Sequence, residues 1–113
     1  MTTKHHKNQK NSSNFSERLL KFALQIPEGK VTTYGDLVQK AGGVPAQSRF
    51  VTSILSKANK DNKFKIPYHR IVYSNGKVWI DPNFRAERLR IYKKEGIKLD
   101  KNDKIIEFDK IRI

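Results

Sequence analysis

Residues Thr33 to Ala58 read TYGDLVQKAGGVPAQSRFVTSILSKA, and this stretch decides the fold. Thr33 followed by Asp36 has the form of a helix N-cap pair. Leu37, Val38 and Ala41 then make a short apolar face that Gly42-Gly43 stops. Pro45 stands at the position a proline tolerates best, the first turn of a new helix. Behind it Val51, Ile54, Leu55 and Ala58 recur at helical spacing. Two short helices joined by a tight glycine turn predict a helix-turn-helix. The second would expose Arg49, Thr52, Ser53 and Ser56. These are mostly small side chains, suited to close approach and poor at bidentate reading of bases. The alternative is an ordinary solvated helix face.

Upstream, Asn14 and Glu17 read as a capping box. Phe15, Leu19, Phe22, Ala23 and Ile26 form the stripe of a longer helix that Pro27 and Gly29 end. Met1 to Ser13 is polar, carries Lys4, Lys7 and Lys10, and is expected to be a disordered basic tail. The remainder, 14–113, is expected to be one domain. His5 and His6 are adjacent histidines in a polar tail, a weak metal motif, so no metal site is expected.

Downstream lies a Lys-rich loop with Lys60, Lys63 and Lys65, then Ile66 to Tyr73, a Ser74-Asn75-Gly76-Lys77 turn and Val78-Trp79-Ile80. A final helix is predicted over Asn83–Glu95 with Gly96 as its cap, dense in Arg85, Arg88, Arg90, Lys93 and Lys94. From Ile97 to Ile113, Ile106 and Phe108 fall near period two around a Lys101–Lys104 turn, which suggests a small hairpin or strand. The fold class is therefore mainly α, winged-helix-like, with a small β element near the C-terminus.

Composition narrows the function. The chain has 113 residues, 24 Lys and Arg against 11 Asp and Glu, and a formal net charge of +13. Such a balance points to a polyanion, with nucleic acid favoured over a membrane surface because no long basic amphipathic helix is present. Cysteine is absent, which removes disulfides, thiol nucleophiles and Cys-based metal sites together.

Pro67-Tyr68-His69-Arg70-Ile71-Val72 resembles the active-site signature of the O6-alkylguanine-DNA alkyltransferases, Pro-Cys-His-Arg followed by two aliphatic residues. Tyrosine stands where that family has its reactive cysteine. Replacement at this one position marks the alkyltransferase-like proteins, in which the residue is usually tryptophan. The resemblance runs from about Phe15 to Gly96. It includes Gly29-Lys30-Val31-Thr32-Thr33-Tyr34, the Gly42-Gly43 turn through Arg49, and Glu95-Gly96. Two departures stand out. Asn59-Lys60 lacks the family's Asn-Pro proline, and no arginine stands in the 77–82 loop beside the expected lesion site, leaving Arg85 or Lys77 as candidates.

The resemblance implies a binder of double-stranded DNA through the minor groove. In it Tyr34 pushes on the target phosphate, and Arg49 replaces the flipped nucleotide, with Thr52 and Ser53 at the groove. Tyr34, Pro67, Tyr68, His69, Arg70 and Trp79 would surround the alkylated base. His69 is the family's base by position and Glu95 its orienting partner, vestigial here because a phenol is a far weaker nucleophile toward alkyl carbon than a thiolate. A non-enzymatic, cofactor-free, monomeric lesion sensor is implied. It would hand O6-alkylguanine to nucleotide excision repair proteins, in the cytoplasmic nucleoid of a prokaryote or in a nucleus. Two other readings stay open on the residues alone. One is a general winged-helix DNA binder, which the charge fits equally. The other is a hydrolase using His69 and Glu95. Individually, Tyr34 also reads as a core aromatic, Arg49 as a surface cation, His69-Arg70 as a braced turn, and Trp79 and Tyr73 as core.

Overall fold

The computed structural model describes residues 15–59 and 65–113. The predicted tail, its histidines, the Asn14 cap and most of the Lys-rich loop lie outside them. The chain divides into two compact units, Met1–Gln25 with Gly35–Ile66, and Ile26–Tyr34 with Pro67–Ile113.

In the first unit, α1 (15–24) buries Leu19 and Ala23, the inward positions of the predicted stripe. α2 (Tyr34–Lys40) carries Leu37 and Val38 into the same core. Its end is a double closure, with the Gly43 N–H donating to Val38 O at 2.9 Å and the Gly42 N–H to Gln39 O at 3.0 Å. That pair of bonds is a Schellman motif and needs a left-handed residue, which Gly42 supplies with φ 90°. Gly43 is required for space. A Cβ there would sit 2.5 Å from Gln47 Oε1 and 2.6 Å from the Phe15 ring. Arg18 on α1 satisfies a further carbonyl at this end, its Nε donating to Ala41 O at 2.8 Å.

The predicted third helix does start at Pro45, but in two pieces: a 3-10 turn over Pro45–Phe50, then α3 (Val51–Ala58). No residue of the turn is buried, so no packed side chain holds it to α geometry. Gln47 Oε1 instead accepts from the Val44 N–H at 2.8 Å and fixes its start. Val51 and Leu55 then seal α3 into the core. Burying side chains of this size contributes about 1.5–3 kcal/mol each.

In the second unit a two-stranded parallel sheet pairs β1 (Thr32–Thr33) with β2 (Ile71–Val72), in register Thr32 with Ile71 and Thr33 with Val72. α4 (Arg85–Lys94) follows a 3-10 turn, Pro82–Phe84, whose start Asp81 caps by accepting from the Asn83 N–H at 2.9 Å. Only Tyr92 of α4 is buried. It joins Val31, Val72, Val78, Ile80, Ile97 and Ile105 in the core of this unit. The segment after Gly96 contributes isolated bridges, Leu99 with Ile105 and Lys77 with Lys104, and no full ladder. Asp100 Oδ1 accepts from the N–H groups of Asn102 and Lys104 and forms the predicted turn. Phe108, expected in a strand, instead starts a one-turn helix, α5 (Phe108–Ile111). Beyond it the chain returns to Val31, which exchanges backbone bonds with Ile111 O and the Ile113 N–H at 3.0 and 2.9 Å.

Candidate nucleic-acid interface

The second unit holds the signature turn. Pro67 is buried and Tyr68–Arg70 coil into one 3-10 turn, closed by the Arg70 N–H donating to Pro67 O at 2.9 Å. Ile71 and Val72 then enter the sheet, both buried. The aliphatic pair after His-Arg is thus the anchor that fixes the turn.

One carboxylate organises the rest. Glu95, at the C-cap of α4, is 6% exposed at its side chain. It accepts from the Gly29 N–H at 3.0 Å, from His69 Nε2 at 2.6 Å, and from Arg70 Nε and Nη2 at 3.0 and 2.8 Å. Arg70 turns its remaining edge to Ile26 O, 2.7 Å from Nη1. Burial opposes ionisation of Glu95. The donors from Arg70, Gly29 and His69 together outweigh it and hold the carboxyl down at about 2. The carboxylate is therefore charged and only accepts, so His69 Nε2 must carry the proton it shares. Burial lowers the His69 pKa from its ordinary value, against the opposing pull of Glu95, and keeps the ring neutral. The Nδ1 lone pair is then the basic atom of the imidazole. A second anchor comes from α4, where Tyr92 Oη donates to His69 O at 2.7 Å. Burial pushes that phenol up to about 12, so it remains a donor at any physiological pH.

Tyr34, the first residue of α2, is half-buried in this unit, with its ring centroid 5.6 Å from that of Tyr73. Tyr73 is 44% exposed and Trp79 60% exposed, so neither is a core residue as the sequence suggested. Val78 and Ile80 point inward and Trp79 between them points out, an alternation that was available in the sequence as a period of two. Trp79 lines a shallow cavity of about 380 Å³ with Phe84, Arg88 and Ile91, flanked by Asp81 and Glu87. Among the described residues, the signature turn does not line that cavity. Arg85, one of the two candidates for a lesion-side cation, is held by Asp103 through a bidentate pair at 2.8 and 2.7 Å.

The first unit carries Arg49, Thr52 and Ser53, all exposed. Arg49 is the last residue but one of the 3-10 turn, and its guanidinium lies over the Phe50 ring, 5.0 Å from the centroid. Sequence reasoning passed over Phe50 and Tyr92. The first follows the arginine that drew attention, and the second hides among the charges of α4. Among the described residues no group of three or more His, Cys, Asp or Glu could hold a metal, and no helix is long and apolar enough to cross a membrane.

A helix-turn-helix unit and a unit built on a glutamate-clamped Pro-Tyr-His-Arg turn define a small DNA-binding domain of the alkyltransferase type. The chain belongs to the family of the 6-O-methylguanine DNA methyltransferase DNA-binding domain, whose model matches residues 14–97. It is 33% identical over 81 residues to a DNA base-flipping protein of Vibrio parahaemolyticus, covering 72% of this chain and 78% of that one. It is 35% identical over 75 residues to the DNA base-flipping protein of Escherichia coli, covering 66% and 56%. It is also 38% identical over 90 residues to a bifunctional methyltransferase/endonuclease of Thermoplasma volcanium, covering 78% of this chain and 27% of that one. The chain thus spans about a quarter of the Thermoplasma relative and just over half of the E. coli one. In structure it superposes on S. pombe Atl1, solved in complex with damaged DNA containing O6-carboxymethylguanine. The TM-score is 0.67 and the identity 20%, over 89% of this chain and 95% of that one.

Proposed function

We propose that the protein recognises DNA damage without repairing it, by flipping out O6-alkylated guanine and holding it without accepting the alkyl group. One observation carries the reading. The chain contains no cysteine at all, and its Pro67-Tyr68-His69-Arg70 string resembles the family's Pro-Cys-His-Arg signature with tyrosine in the cysteine's place. Alkyl transfer needs a soft, strong nucleophile as well as a base. His69 offers a basic Nδ1, but no thiol stands before it.

The same replacement favours binding. A base is recognised on its altered edge only after it leaves the stack, at a cost of a few kcal/mol. Stacking on an aromatic ring returns about 1–3 kcal/mol. In this reading Tyr68 lies against the extruded base, in a pocket formed with Tyr34, Pro67, His69 and Trp79. Tyr34 acts at the phosphate beside the target, and Arg49 fills the gap. Thr52 and Ser53 allow α3 to approach the minor groove closely. Arg70 and Glu95 act one step back, keeping the turn that carries Tyr68 in a fixed shape. The relatives named for base flipping support this reading, as does the net charge of +13. A protein that shields the lesion as a monomer, without cofactor, would pass it to nucleotide excision repair proteins.

The test is binding to two matched duplexes, one with O6-methylguanine and one with guanine, at about physiological salt where nonspecific affinity is weak. Intact mass is read on the same samples. Tighter binding to the lesion with no added methyl is the expected result. Equal binding would return the protein to general DNA binding, and a mass gain would make it an enzyme.

A further inference from the structure

The turn that leads into α3 exposes side chains that folded chains usually cover. Phe50 is 48% exposed, while the next residue, Val51, is 1% exposed. The ring thus projects from a backbone whose following turn is locked in the core. At Phe50 the chain leaves regular helical geometry, with φ −104° and ψ 3°. Consecutive residues on a regular helix point to different sides. Here the Arg49 guanidinium instead lies over the Phe50 ring, at a distance where a cation–π attraction operates. The exposed positions that follow are Thr52 and Ser53, both small.

An exposed phenylalanine paired with a cation, beside small hydroxyl side chains, has the chemistry of a wedge. Minor-groove proteins insert apolar side chains between base steps, and the unstacking cost is offset by the new stacking and the bent duplex. We propose that Phe50 is a second duplex-entering element. Its ring enters the base step beside the gap that Arg49 fills, and the two side chains act as one preformed unit. The inference rests on the reading of Arg49 given above. Pairing before contact restricts Arg49 to fewer rotamers, which lowers the entropy lost on binding.

The experiment uses the whole chain with Phe50→Ala, Phe50→Leu and Arg49→Ala. The duplexes carry O6-methylguanine or guanine, with 2-aminopurine in the adjoining base step as a fluorescent reporter of unstacking. Both side chains replaced are exposed, so thermal denaturation should show unchanged stability. Wild-type binding should raise the reporter signal. Phe50→Ala should lose most of that rise and bind lesion DNA roughly 5- to 150-fold more weakly, the range of one base–aromatic stack. Phe50→Leu should keep part of the rise, and Arg49→Ala should keep it while weakening binding. An unchanged rise in Phe50→Ala overturns the proposal. If affinity falls without it, Phe50 only orients Arg49. If the wild type binds both duplexes equally, the lesion reading fails, and the reporter in undamaged duplex still decides whether Phe50 opens a step.

Discussion

Replacing Glu95 with glutamine tests the brace behind the signature turn. The carboxylate accepts from four donor nitrogens and faces the Arg70 guanidinium, whose side chain is 17% exposed. An amide in its place offers the same shape, half the acceptors and no charge. Removing one member of a buried ion pair costs about 3–5 kcal/mol, because the other charge stays buried. Arg70 retains its bond to Ile26 O and some contact with water, so about 2–4 kcal/mol is expected. The pH dependence gives an independent measure. Glu95 titrates at about 2 in the folded chain against an ordinary value of 4.5. A depressed folded pKa gives stability that is present above the unfolded value and is lost as pH falls from about 4.5 toward 2. The direction of this dependence follows from the same Arg70, Gly29 and His69 donors that set the loss expected for Glu95→Gln. His69 adds to the same trend. Its pKa is lowered, so protonating it as pH falls below its ordinary 6.5 further favours the unfolded chain. Urea denaturation followed by circular dichroism should show Glu95→Gln about 2–4 kcal/mol less stable than wild type at pH 7. The two should converge between pH 4.5 and 2. A loss below about 0.5 kcal/mol at pH 7, or a gap that stays constant through the acid range, would refute the argued role of the carboxylate.

Three further outcomes follow from the same geometry. Tyr68→Ala should lower the preference for O6-methylguanine over guanine by roughly 5- to 150-fold in competition binding, the value of one stack, and an unchanged preference would remove Tyr68 from the pocket. Gly43→Ala forces a Cβ to 2.5 Å from Gln47 Oε1 and 2.6 Å from the Phe15 ring. It should cost about 1–3 kcal/mol by thermal denaturation, and a neutral result would mean that the turn before Pro45 is free to shift. Tyr92→Phe leaves the packing intact but strips His69 O of its 2.7 Å donor. A loss of about 0.5–1.5 kcal/mol is expected, and a variant as stable as wild type would show that this bond does not hold the turn.

The parts of the fold legible in the sequence are those set by neighbouring residues. Gly42-Gly43 announced the helix end because a Schellman closure involves only Val38 to Gly43. Pro45 marked the start of the next turn for a reason equally local. The α1 stripe was legible because its period is built into a single helix. What stayed hidden depends on partners far along the chain. α4 shows no apolar period because a single side chain, Tyr92, makes its buried contact. The segment after Gly96 shows little strand pattern because beyond its local turn it is held by Val31, Gly76 and Val78, bonded to residues at least 25 positions further along the chain.

The site divides the same way. Pro67 to Arg70 could be recognised as a string of residues, whereas the contact that gives the string its shape joins Glu95 to Gly29, His69 and Arg70 across 66, 26 and 25 positions. This separation bears on how a repair site could lose its chemistry and keep its binding. On the reading proposed above, position 68 is where the family carries its nucleophile, and the donors to Glu95 come from Gly29, His69 and Arg70 instead. The His69 tautomer is set from behind the turn by Glu95, and Tyr92 fixes the His69 backbone from α4. Neither contact involves the side chain at position 68. A turn supported in this way keeps its shape whatever side chain stands at position 68, which is what the proposed exchange of repair for recognition requires.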